Sequence, residues 1–464
     1  MIIGAVTMPH PPISLSEVGE GEEKKIQETI NSCKEVAKWI GEMKPDTIVL
    51  LSPHAVMYRD YFNISNGVSA YGSMGQFNAP EVSFKPKYDK AFGDALTSLC
   101  HAHDFPAGND HDREVFLDHG TMVPLYFINQ YYQDYELVRI GLSGENLLKH
   151  YEFGTYIQQV ANDMNKKVVI VASGDMSHCL KLEGPYGFRV EGVEYDQNLV
   201  NTLKYANFME LFDYSETYID QAMSCGHRSY VIMAGCLDGY KVDTIFYSYQ
   251  DTFGVGYGVF KYVISGKDEG RCFLKQYYER EKARISYFET QEDAYIKLAR
   301  YTLEQYFEHG IEIDVPNDLP EEMYTSKHGV FVTLYENNNL RGCIGTIEPV
   351  TDSVAKEIIR NALAAANDDP RFPSVSKDEL PYLEISVDVL GDREVIDSIE
   401  ELNPKKYGVI VSRPGQSGLL LPNLDGVDTI QKQVRIATAK AGIHPKADDI
   451  TYERFEVKRH EVKK

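Results

Sequence analysis

The chain has 464 residues, of which 43% are hydrophobic and 25% are charged. This composition is ordinary for a globular protein and excludes disorder over most of the chain, and the length suggests two to four domains. Acidic residues outnumber basic residues by 70 to 47, which gives a formal net charge of −23. Such an excess repels phosphate backbones and anionic lipids, so neither a nucleic acid nor a membrane is expected as a partner.

Further features of the sequence predict a cytoplasmic protein. No stretch approaches the roughly 20 apolar residues that cross a bilayer. The first residues, MIIGAVTMPHPP, lack the basic region and cleavage site of a signal peptide. The seven cysteines are irregularly spaced without a CxxC pair, which fits a reducing compartment better than a disulfide framework or a zinc ribbon.

The first half of the chain predicts an α/β domain. Short apolar runs alternate with helical periodicity, and a strand–helix–strand order favours a mostly parallel central sheet. Two runs near residue 250 predict an antiparallel edge. The predicted elements, in chain order, are a strand at Ile2–Met8, a helix over 21–43, a strand at Thr47–Ser52, a helix over 144–165, and strands over 167–173, 243–249 and 254–264.

A polar and charged stretch, SGKDEGRCFLKQYYEREKAR at 265–284, separates the two halves of the chain. We expect a domain over 1–265, a linker over 266–285 and a second domain over 286–464. Strand patterns over 384–390 and 408–411 indicate an α+β fold for the second domain.

Three predicted strands of the first domain run into a histidine. His10 follows the first strand, His54 follows the second, and His178 lies in the GDMSH segment after the strand over 167–173. Ligands of open α/β sheets bind beyond the carboxyl ends of the strands, so we expect the three imidazoles in one crevice. Pro9 and Pro53 stiffen the backbone before two of them, which suits a metal site. Each histidine alone also fits a hydrogen-bonded loop residue, and each proline a strand end.

Further histidines lie between the second and third of these strands. His119 belongs to DHGT before an apolar stretch, where a substrate-binding group and a helix-capping loop are both consistent with the pattern. His101, His103 and His111 lie in a polar segment that is either a surface loop or a lid over the crevice.

Cys225 is the remaining candidate of the first half. It lies at a predicted helix start, where the positive end of the helix dipole and Arg228 would favour a thiolate. A small buried residue fits the same position. Glu216 and Asp220 lie upstream at i, i+4 spacing and offer carboxylates, although such pairs also form solvated helix faces.

The ordered motifs of the first half resemble a known family. PHPP at His10, SPH at His54, DHGT at His119 and GDMSH at His178 are similar to motifs of the class III extradiol ring-cleaving dioxygenases (LigB), and more closely to those of the related Memo-like proteins, over about 1–265. The resemblance implies a non-haem, Fe(II)-dependent oxidoreductase that opens a catechol-like aromatic ring with dioxygen. It further implies that His10 and His54 bind the metal, that His178 is an acid–base residue or a further ligand, and that His119 contacts substrate.

The third metal ligand departs from the dioxygenase pattern. Those enzymes supply a glutamate in the segment that here contains Ser224 and Cys225, whereas Memo-like proteins have a cysteine followed by glycine. The resemblance therefore implies Cys225 as the third ligand, with Glu216 left as a carboxylate alternative. Two histidines and a thiolate suit Fe or Cu, and an iron- or copper-binding protein without dioxygenase activity is the alternative function. A third hypothesis is an interaction module whose crevice binds a peptide and no metal.

The second half resembles the AMMECR1 family over about 286–462. The motifs that carry the resemblance are GVFVTL, LRGCIGT, DPRFP, LPYLEISVDVL, YGVIV and GLLLP, in that order. The combination is similar to the fused proteins of the AmmeMemoRadiSam system, which implies a radical-SAM protein as a partner, and a homodimer is plausible. Arg341 and Arg371 fit either an anion site or a tight turn with structural ion pairs, and the second is favoured.

Overall fold

A computed structural model describes residues 1–110, 116–336, 339–424, 426–444 and 449–462, so the predicted loop residue His111 lies outside the described residues. The chain divides into two compact units, 1–277 and 278–464. The strands of the first unit are β1 Ile2–Met8, β2 Thr47–Ser52, β3 Phe62–Asn63, β4 Gly72–Met74, β5 Ala79–Phe84, β6 Ala107–Gly108, β7 Glu136–Gly141, β8 Val168–Ser173, β9 Tyr240–Gln250 and β10 Tyr257–Lys267. Its helices are α1 Ser16–Gly19, α2 Gln27–Met43, α3 Lys90–Ala102, α4 His119–Ile128, α5 Leu147–Asp163, α6 Val190–Tyr205, α7 Glu216–Ala222 and α8 His227–Cys236.

Six strands form the central sheet of the first unit in the order β7-β2-β8-β1-β10-β9. The first four are parallel to one another, and β10 and β9 continue the sheet antiparallel. Every residue of β2 and β8 is buried, as expected for strands covered by helices on both faces. The predicted α/β fold with a mostly parallel sheet and an antiparallel edge is confirmed. The carboxyl ends of β1, β2, β7 and β8 therefore meet at one edge.

The predicted helices are slightly shorter in the structure than in the sequence pattern. The helix over 21–43 opens as a 3₁₀ turn, Glu22–Ile26, and α2 then ends before Lys44, which adopts a left-handed conformation. The helix over 144–165 begins at Leu147, because the side chain of Asn146 caps its first turn by accepting from Lys149 N–H.

Two glycines bring α5 and α8 into direct backbone contact. A Cβ atom on Gly235 would lie 2.1 Å from the carbonyl oxygen of Tyr151, and one on Gly154 would lie 2.2 Å from that of Ile232. Only glycine permits this approach. The contact sets the position of α8, whose first turn follows Cys225.

The second unit is built on an antiparallel sheet. A helix, α9 Phe273–Gln291, spans the division between the units and much of the predicted linker; the exact domain bounds stay a prediction. The elements of the second unit are α10 Ala294–His309, α11 Glu321–Thr325, β11 Val330–Glu336, β12 Asn339–Gly345, α12 Val354–Asn367, β13 Leu383–Ile396, β14 Gly408–Arg413, β15 Gln416–Leu420, α13 Ile430–Lys440 and β16 Thr451–His460. The strands form one sheet in the order β12-β11-β13-β16-β14-β15, with α10 packed on β13 and α12 on β11.

The two arginines of the second-unit motifs are engaged in ion pairs. Arg341 contacts Glu379 at 2.9 Å and Arg371 contacts Asp369 at 2.6 Å. Asp369 also accepts the backbone N–H of Cys343. These contacts agree with the structural alternative favoured from the sequence. Among the described residues, no helix is both long and apolar enough to span a bilayer.

We expect Gly235→Ala to destabilise the first unit by about 1–3 kcal/mol, because the added methyl group overlaps the α5 backbone. The single tryptophan, Trp39 in α2, makes the fluorescence of urea-induced unfolding specific to this unit. Gly266→Ala is the matched control, since a Cβ there meets open space. Equal unfolding midpoints for the two variants would contradict the close approach of α5 and α8.

Candidate metal centre

His10 and His54 meet at the carboxyl edge of the parallel sheet. Each follows a strand by two residues, and their Nε2 atoms are 3.0 Å apart. His10 is buried and His54 is exposed, so one imidazole lies beneath the other. Two of the three strand-end histidines predicted to share a crevice thus lie together in the structure.

Hydrogen bonds fix the tautomer of His10. Its Nδ1 lies 2.9 Å from Ser173 Oγ, at the end of β8. The hydroxyl donates its only proton to the carbonyl of Gly120 at 2.6 Å, so it accepts from His10 Nδ1–H. The lone pair of His10 Nε2 therefore points at His54. Metal-binding histidines are typically held in this way, by donating the other ring N–H.

His119 begins α4 and completes a group of three imidazoles. Its ring stacks on that of His54 at 4.1 Å between centroids and lies against Phe77 at 5.6 Å. Asp118 caps the helix by accepting from Thr121 N–H at 3.0 Å, which fixes the turn that carries His119. Donor atoms of His10, His54 and His119 all lie within 4.8 Å of one another.

A second donor group shares His10. Cys225 Sγ lies 3.6 Å and Asp175 Oδ2 lies 4.0 Å from His10 Nε2. Asp175 also accepts the backbone N–H of His10 at 2.9 Å. The sequence analysis did not single out Asp175, although it is the aspartate of GDMSH and directly precedes Met176-Ser177-His178.

Close packing of two glycines brings Asp175 and Cys225 together. A Cβ atom on Gly174 would lie 2.2 Å from Gly226 Cα, so the loops after β8 and before α8 touch backbone to backbone. Asp175 N–H then donates to Cys225 Sγ at 3.2 Å, and Gly226 N–H donates to Asp175 O at 2.9 Å.

His178 lies on the far side of Asp175. Its Nδ1 is 2.7 Å from the carbonyl oxygen of Met223, and because a carbonyl only accepts, Nδ1 carries the proton. Its Nε2 is 3.9 Å from Asp175 Oδ2. His178 is thus oriented toward the cluster, and its role as an acid–base residue or a further ligand stays a prediction.

The structure corrects two expectations about this region. Glu216 is not a member of the candidate metal-ligand groups, because its carboxylate is bound by Arg228 at 2.5 Å. The ion pair compensates the charge of Arg228, and burial raises the pKa of the Cys225 thiol well above its usual range, with a further contribution from Asp175. The helix start therefore does not favour a thiolate in the metal-free protein.

Burial lowers the pKa values of the imidazoles, in contrast to its effect on the Cys225 thiol. It lowers the pKa of His10 well below its usual range, and the neighbouring His54 and His119 lower it further. The less complete enclosure of His54 and His119 by the protein also lowers their pKa values, through partial desolvation of the rings. The three imidazoles are therefore neutral at pH 7, which is the form that binds metals.

The donor set fits a metal ion. Two nitrogens bound at a right angle to one metal, each at about 2.1 Å, lie about 3.0 Å apart. This matches the separation of His10 Nε2 and His54 Nε2. Imidazole with carboxylate or thiolate is a donor combination found for Fe and Cu. Either Asp175 or Cys225 is placed to complete it.

A cavity of about 540 Å³ opens beside the imidazoles. His54 and His119 line it, and Tyr71 and Phe116 form an aromatic wall with their rings 6.4 Å apart. Ser73 and Gln76 add polar groups. Phe116 lies three residues before His119, whereas Tyr71, Ser73 and Gln76 come from the segment around β4, which no spacing in the sequence connects to the histidines.

Family comparisons agree with this architecture. Residues 4–260 match the family described as the catalytic LigB subunit of aromatic ring-opening dioxygenase. The chain belongs to this LigB family. Residues 296–463 match the AMMECR1 family, so a LigB domain is fused to an AMMECR1 domain. The resemblance proposed from the sequence motifs is confirmed for both families.

Two relatives and one solved structure illustrate the similarity. A protein of Clostridium acetobutylicum is 43% identical over 465 residues and covers 98% of both chains. A Thermotoga maritima protein is 47% identical over 170 residues, which are 36% of this chain and 98% of that one. The crystal structure of an uncharacterized protein from Pyrococcus horikoshii covers 36% of this chain and 88% of its own, at 33% identity and a TM-score of 0.34.

We expect Ser173→Ala to weaken Fe(II) binding by about 10- to 100-fold, because His10 loses the group that fixes its tautomer. Anaerobic titration of the full chain measures the affinity. Ser265→Ala, on the exposed end of β10, is the control. Unchanged affinity in Ser173→Ala would show that the hydroxyl does not orient a ligand.

We expect Cys225→Ala to lower metal affinity at least tenfold and Glu216→Gln to leave it unchanged, because Glu216 is bound to Arg228. Since the Cys225 thiol is protonated in the free protein, its coordination should release about one proton at pH 7.5. Calorimetry in two buffers of different ionisation enthalpy detects that proton. Full affinity in Cys225→Ala without proton release would assign the third position to Asp175.

Proposed function

We propose that the LigB domain is a non-haem, metal-dependent oxidoreductase that opens a catechol-like aromatic ring with dioxygen, with Fe(II) as its metal. The observation that carries this proposal is the pair of neutral imidazoles, His10 and His54, whose Nε2 atoms are 3.0 Å apart, beside a cavity that His54 lines together with the aromatic side chains of Tyr71 and Phe116. The described lining residues leave space for a planar ring beside the donor atoms. Fe(II) held there would bind both catechol oxygens and dioxygen and pass electrons between them.

The chain's own residues would position the ring and move its protons. Tyr71 and Phe116 present apolar surface to an aromatic substrate, and Gln76 offers hydrogen bonds to its substituents. His119 lines the same cavity, and because burial lowers its pKa it is neutral at pH 7 and able to accept a proton from a catechol hydroxyl. Its stacking on His54 keeps the ring within reach of the cluster.

A second candidate function rests on Cys225. Its sulfur lies as close to His10 Nε2 as the carboxylate of Asp175 does, and a thiolate at a dioxygen-binding iron would be open to oxidation. We propose as the alternative an iron- or copper-binding protein without dioxygenase activity that works with a radical-SAM protein through its AMMECR1 domain. Ring opening with dioxygen separates the two functions.

The decisive experiment measures oxygen uptake by the Fe(II)-loaded full chain with a panel of catechols. We expect ring-opened products from wild type, and none from His54→Ala, which should fail to bind metal. His119→Gln should retain the metal and lower kcat by about 10²- to 10⁴-fold, the usual contribution of an acid–base group. Full metal binding with no oxygen uptake on any catechol would support the alternative function instead.

A further inference from the structure

The AMMECR1 domain contains a partly enclosed cavity that the LigB site does not use. Its volume is about 210 Å³, equal to about seven water molecules at the liquid volume of about 30 Å³ each. The polar side chains of its lining include Tyr335, Ser386, Glu384, Glu292 and Glu461. A small organic molecule would fill this space.

The end of a strand pairing creates the cavity. β13 pairs with β11 along Leu383–Ser386, but its pairing with β16 stops at Val387 and His460. Beyond that point the chain continues as Glu461 and Val462 without a ladder. The cavity therefore lies where a neighbouring strand is missing from this part of β13.

A buried hydroxyl in the cavity lacks a protein partner. Ser386 is only 9% exposed and lines the cavity, and its side-chain hydroxyl makes no hydrogen bond to any described residue. Buried polar groups are nearly always hydrogen-bonded. Tyr335 presents a second hydroxyl to the same space, likewise without a partner in the described part of the chain. Both hydroxyls are available to a ligand.

Charges around the cavity are predominantly negative. Arg284 lies between Glu281 and Glu384. Arg300 lies between Glu292, at 2.6 Å, and Glu289, at 4.0 Å. These two cations face four carboxylates.

Glu461 adds a fifth carboxylate. The cation near it is Arg459, which is bound by Asp388 at 2.8 Å and on which Glu461 acts only electrostatically, since no described cation lies within 4 Å of the Glu461 carboxylate. The same surroundings raise the pKa of Glu304, through burial first and through Glu289 among other acids. An excess of negative charge in a partly enclosed site attracts cations.

One guanidinium of the domain itself, that of Arg284, already lies against two residues that line this cavity. The Arg284 side chain pairs with Glu384 and lies over the ring of Phe288 at 5.4 Å. Aromatic faces attract cations in this way, and Tyr335 offers a further ring on the opposite strand. Ile385 and Val462 provide apolar surface for an alkyl chain.

We propose that this cavity of the AMMECR1 domain binds a small organic cation, a primary amine or guanidine on a short apolar chain. The cationic head forms an ion pair with Glu461, and its N–H groups donate hydrogen bonds to the hydroxyl oxygens of Ser386 and Tyr335. The alkyl chain of the ligand lies along Ile385 and Val462. This proposal is independent of the metal-dependent function of the LigB domain.

Calorimetry of the full chain with n-butylguanidinium tests the proposal, and n-butylurea is the matched probe because it has the same shape without the charge. We expect one guanidinium site per chain with a Kd of about 1 mM or tighter, and binding of the urea at least tenfold weaker. Equal affinity for the two probes would overturn the cationic assignment. No binding of either probe at about 10 mM would overturn the site.

Two substitutions locate the ligand. Glu461→Gln and Ser386→Ala should each weaken n-butylguanidinium binding by about five- to tenfold, which corresponds to about 1–1.4 kcal/mol. Glu456→Gln makes the same charge change on β16, where Glu456 is exposed and pairs with Lys406, and it should leave Kd unchanged. His10→Ala should also bind the probe normally. An equal loss of n-butylguanidinium affinity in Glu461→Gln and Glu456→Gln would show that only the overall negative charge attracts the probe, and it would contradict a site in the cavity.

Discussion

The hydroxyl of Ser173 connects the parts of the LigB domain on which the site depends. It accepts from His10, which follows β1, and donates to Gly120 in the first turn of α4, while its own backbone ends β8. One side chain thus ties together two neighbouring parallel strands and the helix that carries His119. A buried hydroxyl with one proton can satisfy this arrangement in only one direction, so the fold itself determines which nitrogen of His10 is free to bind a metal.

Burial has opposite consequences for the two kinds of ligand. It keeps His10, His54 and His119 neutral, so metal binding displaces no protons from them. It keeps the Cys225 thiol protonated, so coordination by sulfur requires the free energy of removing that proton. A carboxylate at Asp175 has the smaller cost at neutral pH, because burial raises its pKa from a much lower starting value. The buried site therefore favours nitrogen and oxygen ligands before metal arrives.

Periodicity and strand order were sufficient to predict the parallel sheet and the approach of His10 to His54, because parallel strands place their carboxyl ends at one edge. His178 follows the same edge but lies beyond Asp175. Contacts between loops were beyond the reach of the sequence pattern. Asp175 lies beside Cys225 because Gly174 packs on Gly226, a backbone contact that no residue spacing encodes. Glu216 lies outside the cluster because it pairs with Arg228, a side-chain contact that the spacing does not reveal either. The cavity walls depend likewise on loops that meet only in the folded domain.

His10 belongs to both donor groups, and this overlap limits how the centre can work. His54 and His119 form one donor group with His10, and Asp175 and Cys225 form the other. An ion bound to His10 could draw ligands from either group, and His54 and His119 also line the cavity. If His119 bound the metal, it would no longer serve as a base for a substrate. The proposed ring-opening mechanism therefore requires the third ligand to come from Asp175 or Cys225, so that His10 is the residue through which the two groups act on one ion.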